Sequence, residues 1–239
     1  MAGPTDLFKR VLTPSDALGL GGWPRALARA TREGLPLLAA PVSGGTRMQE
    51  GTPAFVQMVR ISEAVAAHKA AGPPYLVYLR HPTTGGVMAS WGSLGHVTVA
   101  EPGALLGFLG PRVYEALYGK PFPPGVQTSE NLAARGIIDG VVAPEDIAEI
   151  LGRTLRVLLA PRRGLLPSAP LPDDALHDGS PVDTWEAITR SRNPERPGVR
   201  RLLRYGASDV VPLNGTGQGE HHPGLLIALV RFGEAPCMF

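Results

Sequence analysis

The residues best placed to do chemistry are backbone groups at two glycine pairs. In LPLLAAPVSGGTRMQEG, residues 35–51, and in PYLVYLRHPTTGGVMAS, residues 74–90, an apolar run reaches Gly-Gly and passes into a helix-like stretch. Glycine at a strand end lets backbone N–H groups approach a ligand that a side chain would block. Such donors can hold an oxyanion. After the first pair come Thr46, Arg47 and Glu50, a set suited to a polar ligand, although the same residues also read as a tight turn with Arg47 paired to Glu50. The second pair, in Thr83-Thr84-Gly85-Gly86, aims consecutive N–H groups beyond the strand end, and is equally a common turn sequence.

Side-chain catalysis has weaker candidates. His68 falls within a helical pattern, His81 precedes a proline, His96 lies near a strand start, and His221 and His222 occupy a glycine-rich stretch. No GxSxG elbow, HExxH helix or Walker lysine turn is present, so hydrolase, metalloprotease and P-loop readings lack their physical minimum. Arg112 follows a Gly-Pro turn and could face a ligand phosphate or carboxylate, whereas Lys120 in YGKPFPPG reads as solvated. The loop NGTGQGE at 214–220 could cradle an anion but reads first as a plain turn.

Composition narrows the class. The 239 residues are 44% hydrophobic, and 23 Lys and Arg against 21 acids give a net charge of +2. So even a balance offers no case for nucleic acid, and the arginine run RSRNPERPGVRRLLR at 190–204 lacks aromatic interleaving for base stacking. The single cysteine, Cys237, excludes an internal disulfide and a four-cysteine metal site. With no basic start followed by an apolar h-region, and no long apolar run, the expectation is a cytoplasmic protein away from membranes.

The elements that position the glycines follow from pattern. From residue 35 to 159 apolar runs alternate with helical periodicity, which predicts a layered α/β core. A helix opens at Pro53 and stops at Gly72-Pro73-Pro74; a strand covers 75–79; a second helix-like segment runs from Gly85 to Gly95; and 97–99 is a strand. Gly107 and Gly110 flank a turn, Ser129 caps a helix ending at Gly136, IIDGVV is strand-like, and Pro144 starts a last helix. Residues 161–183, rich in Pro, Asp and Ser, read as a linker. Beyond them come a helix from Trp185 and the β-prone runs LLIALVRF and CMF.

Taken together, SGGTRMQEG, PTTGGVMASWGSLGHV, AEPGALLGFLGPRV and PPGVQTSENLAARGIIDGVV resemble the carboxyltransferase β subunit of acetyl-CoA carboxylase, a member of the crotonase-like superfamily. The resemblance covers roughly residues 25–160. It implies a crotonase-like ββα spiral, here lacking its first turns, that transfers a carboxyl group from carboxybiotin on a carrier protein to an acyl-CoA, giving malonyl-CoA from acetyl-CoA. It further implies that the Gly85 and Gly86 amides hold the thioester enolate. Ser43, Gly44, Gly45, Arg47, Thr84, Gly107 and Arg112 would then bind the acyl-CoA. No metal and no covalently bound cofactor are implied.

The tail, DTWEAITRSRNPERPGVRRLL and GLLIALVRFGEAPCMF, resembles the opening of the α subunit of fused β-α carboxyltransferases. The expected organisation is a carboxyltransferase β-like domain at 1–160, partial at its N-terminus, a linker at 161–183 and the start of an α-like domain at 184–239. The implied partners are a biotin carboxyl carrier protein and an α-type subunit in an oligomeric, ATP-dependent complex of fatty acid biosynthesis. Two departures stand out: the family's phenylalanine- and glycine-rich segment and its four-cysteine zinc ribbon do not precede the first motif, and Thr46 replaces a usual alanine. Two other readings stay open, a catalytically incomplete CoA-binding or assembly module and a malonyl-thioester decarboxylase subunit.

Overall fold

The computed structural model describes residues 22–44, 52–161, 183–214, 222 and 224–239. Four strands form a parallel sheet: β1 (Leu37–Ala39), β2 (Tyr75–Leu79), β4 (Val97–Ala100) and β6 (Gly140–Val141), in the order β1-β2-β4-β6. Two shorter strands, β3 (Thr83–Thr84) and β5 (Leu106–Gly107), pair in parallel beside it, and Ser43 extends this layer through a parallel bridge to Thr83. Each of β1, β2 and β4 is thus followed within a few residues by a strand position of the second layer. A helix then follows each: α2 (Thr52–Ala70), α3 (Gly86–Ala89) and α4 (Pro111–Tyr118). That recurrence is the ββα repeat expected of a crotonase-like chain.

β2 shows why the sheet sits at the centre. All five of its residues are buried, as for a parallel strand covered on both faces. Tyr75, Val77 and Leu79 enter one core cluster with Leu27, Ile61 and Val65 of the helices, while Leu76 and Tyr78 enter a second with Leu151 and Leu155. A fully buried side chain of this size contributes about 1.5–3 kcal/mol. The first cluster rests on α1 (Trp23–Glu33) and α2; the second on α6 (Ile147–Leu158).

The sequence expectations hold for α2, β2 and β4 and shift elsewhere. α1 was not anticipated, although Pro24 in its first turn, buried Leu27 and Ala30, and Gly34 in the left-handed cap are ordinary helix signals. Thr128, not Ser129, caps α5 (Ser129–Ala134): its hydroxyl accepts from Asn131 N–H at 3.3 Å, while Ser129 Oγ accepts from Ala104 N–H at 3.2 Å. The last helix of the first part begins at Ile147 and not at Pro144.

In the tail, α7 (Thr184–Ser191) and α8 (Val199–Gly206) precede an antiparallel sheet of β7 (Ser208–Leu213), β8 (Ile227–Phe232) and β9 (Ala235–Met238). β7 was missed because Asp209 and Pro212 interrupt its apolar pattern. Val211 and Leu229 join the core cluster of α6. Arg156 of α6 binds Asp209 through Nε at 2.8 Å and Nη2 at 2.7 Å, and Asp139 Oδ1 accepts from Asn214 N–H at 3.2 Å. Most of the linker, at 162–182, lies outside the described residues.

Candidate functional site

Three strand ends meet where the sequence placed its glycines. Ser43 N–H donates to Pro82 C=O at 2.7 Å, and Thr84 N–H donates to Ser43 C=O at 2.8 Å. Thr83 N–H donates to Leu105 C=O at 2.9 Å. Thr83 Oγ1 lies 2.9 Å from Pro41 C=O and 2.8 Å from Arg80 C=O, sharing its single proton between them. Thr83 and Thr84 are both buried. Short polar residues suit this place because no long side chain fits between two strand ends, and their hydroxyls satisfy buried carbonyls.

At Gly85 the chain takes φ 66° and ψ −143°, a region essentially reserved for glycine. Its N–H is committed within the protein, donating to Gly107 C=O at 2.9 Å and Phe108 C=O at 3.0 Å. It therefore does not face a ligand directly, as the sequence had led us to expect; it shapes the turn. The donors left are the next amides. α3's first helical bond is Ala89 N–H to Gly85 C=O at 3.1 Å, and the N–H groups of Gly86 and Val87 have no backbone acceptor among the described residues. Ser90 Oγ donates to Gly86 C=O, which ties down the same short helix.

Of the residues singled out from sequence, Ser43, Gly44, Thr84, Gly85, Gly86 and Gly107 come together at these strand ends. Arg112 sits in the first turn of α4, exposed, and carries no ion pair among the described residues. Gly45 and Arg47 lie outside the described residues, as does most of the 214–220 loop. Sequence reasoning assigned no role to Val87, although its position after Gly-Gly is the available signal. It likewise assigned none to Gln127, whose side chain lies against Gly107.

His68, His81 and His96 serve structure. His68 is fully buried, with Nδ1 2.9 Å from Thr31 Oγ1. Thr31 Oγ1 also donates to Leu27 C=O at 2.8 Å, which ties the ring to α1. Burial holds the His68 pKa below its ordinary value, against an opposing contribution from the Pro74 carbonyl. His96 is lowered by burial and then by Lys69, and its Nδ1 accepts from Tyr75 N–H at 3.0 Å. His81 Nδ1 accepts from Leu105 N–H at 3.1 Å, next to the site but turned to its backbone. The chemistry available at the strand ends is thus donation from fixed amides. No helix among the described residues is long and apolar enough to cross a membrane.

Comparison with known proteins agrees with this fold. A family model described as "Carboxyl transferase domain" matches residues 23–237. A "Probable biotin-dependent acyl-coenzyme A carboxylase beta3 subunit" of Mycobacterium tuberculosis is 63% identical over 214 residues, which are 88% of this chain and 41% of that protein. The "Acetyl-coenzyme A carboxylase carboxyl transferase subunit beta" of Phenylobacterium zucineum is 46% identical over 156 residues, 64% of this chain and 51% of that one. The chain thus spans between 41% and 51% of these relatives' length. Among solved structures, transcarboxylase 12S aligns with TM-score 0.65 at 20% identity, covering 92% of this chain and 42% of that one. A single-chain, multi-domain long-chain acyl-CoA carboxylase aligns with TM-score 0.61 at 20% identity, covering 92% of this chain and 20% of that one. At that identity the structures speak for the fold, which is theirs.

Proposed function

The chain belongs to the carboxyl transferase domain family, and from that premise we propose that it contributes the acyl-CoA side of a biotin-dependent acyl-CoA carboxylase. The observation that carries this reading is the pair of open amides, Gly86 and Val87, at a turn pinned between Ser43 on one side and Gly107 on the other. The α-carbon of a thioester is a poor acid and becomes nucleophilic only when its enolate oxygen is stabilised by donors already in place. Gly86 and Val87 N–H would donate to that oxygen, and Gly85, through its conformation, would aim them. Ser43, Gly44, Gly45, Arg47, Thr84, Gly107 and Arg112 would line the acyl-CoA approach.

Carboxybiotin on a carrier protein would supply the carboxyl group and, once this is released, a ureido anion able to take the α-proton. No side-chain base is then needed. Acetyl-CoA would give malonyl-CoA, within a cytoplasmic, ATP-dependent complex of fatty acid biosynthesis that includes an α-type partner and assembles as an oligomer. We read residues 1–160 as the β-like domain and 184–239 as the opening of an α-like one, joined by 161–183 and sharing the core cluster around α6.

Gly86→Pro tests the reading cleanly. Position 86 is the first of its helix, where proline's fixed φ is tolerated and only the N–H is lost. In the assembled enzyme kcat for carboxyl transfer should fall roughly a hundredfold to a thousandfold, with KM for acyl-CoA little changed. An unaltered kcat in a folded protein sinks the oxyanion role.

A further inference from the structure

We infer that Gln127 is a positioning residue for these amides, an inference that rests on the reading just given. Gln127 sits where the excursion through α4 returns to the strand end, and it fastens both sides of that excursion. Its backbone C=O accepts from Leu106 N–H at 2.9 Å, and its side-chain Nε2 donates to Leu109 C=O at 2.6 Å. Between those two bonds lie Gly107 and Phe108, whose carbonyls capture Gly85 N–H. The Gln127 side chain also fills the place of a Cβ at position 107, where Nε2, Cδ and Cγ would stand at 2.4, 2.6 and 2.9 Å. A side chain at 107 would therefore have to displace Gln127.

A chain of contacts follows: Gln127 holds residues 106–109, residues 107 and 108 hold Gly85, and Gly85 sets the direction of the Gly86 and Val87 amides. Gln127 Oε1 is buried with no partner among the described residues. Most buried polar atoms are satisfied, and an exception points to a group retained for another reason. Here the reason is the geometry of the Nε2 donor, which an apolar residue of equal size cannot supply.

The test uses the full 239-residue chain, labelled for amide spectra, with Gln127→Met and Gln127→Glu. In Gln127→Met, protection of the Gly85 amide against hydrogen exchange should fall at least tenfold while β2 amides stay within twofold. In the assembled enzyme kcat should fall at least tenfold with KM for acyl-CoA within twofold. Gln127→Glu should match it at pH 8 and regain Gly85 protection toward about pH 4, where a carboxyl is largely protonated and again donates to Leu109 C=O. The titratable groups on adjoining elements, His81, Glu101, Arg112, Tyr114, Glu115 and Glu130, are common to all three proteins, so the wild-type profile is the baseline. Should Gln127→Met also loosen β2, the pH recovery of Gln127→Glu decides. Unchanged Gly85 protection in both variants, or no recovery at low pH, overturns the assignment. Absence of transfer in the wild type would instead count against the enolate reading, while the amide measurements still judge Gln127.

Discussion

At the turn after Ser43, Gly44 is exposed, needs no left-handed backbone, and a Cβ added there meets nothing within 4 Å among the described residues. At the turn after Thr84, Gly85 holds φ 66° and its N–H is clasped by two carbonyls. The two turns touch through the Ser43–Thr83 bridge, yet one is open on its outer side and the other is fixed from within. An open turn can admit a ligand; a fixed one can aim donors at it. On the proposed reading the first turn binds and the second does the chemistry, and each substitution below tries to erase that difference.

Gly85→Ala strikes hardest. A Cβ at φ 66° and ψ −143° costs about 1–3 kcal/mol of backbone strain, and relief requires rotating the peptide whose neighbours are the Gly86 and Val87 amides. Carboxyl transfer should fall more than a hundredfold, read as kcat in the assembled enzyme, with stability followed by denaturant unfolding. A variant that keeps kcat within threefold would mean that this turn is no more specialised than the one at Gly44.

Thr83→Val probes the link between the turns. The swap keeps the shape but removes the hydroxyl that serves the Pro41 and Arg80 carbonyls. Leaving buried acceptors without a donor costs about 1–2 kcal/mol, or about 3–6 °C in Tm for a chain of this size. Because Thr83 is bonded toward both turns, KM and kcat should both worsen by a few-fold. If only kcat moves, the Ser43 side is held independently and the contrast between the turns is sharper than the bridge implies.

The repeat itself was legible in the residues. Apolar runs ending in glycine, with Pro53 opening α2 and Gly72 closing it, carry strong local signals, and β2 sits where its five apolar residues put it. What was not legible is which hydrogen bonds a turn makes with distant chain. That Gly85 N–H turns inward depends on Gly107 and Phe108, more than twenty residues on, and that these carbonyls are in place depends on Gln127. Nothing local to TTGG encodes either fact, so the oxyanion donors looked like Gly85 and Gly86 when the open amides are Gly86 and Val87. Similarly Ser129 looked like a cap because serine is a good one, yet its hydroxyl is taken by Ala104 N–H across the fold.

The mildest change is the most discriminating for the open turn. In Gly44→Ala the new methyl meets none of the described residues within 4 Å and the backbone needs no adjustment, so stability should stay within about 0.5 kcal/mol of wild type. If that space is where the acyl-CoA lies, the methyl intrudes on the ligand alone: KM should rise severalfold while kcat is kept, the signature of binding lost equally from ground and transition state. The measurement is a pair of saturation curves, together with calorimetry of acyl-CoA on the unmixed chain. A fall in kcat at constant KM would show Gly44 acting on the transition state as the Gly85 turn does, and the division of labour between the two turns would collapse. An unchanged KM would place the ligand elsewhere and leave Ser43 and Gly44 as the packing wall of β3.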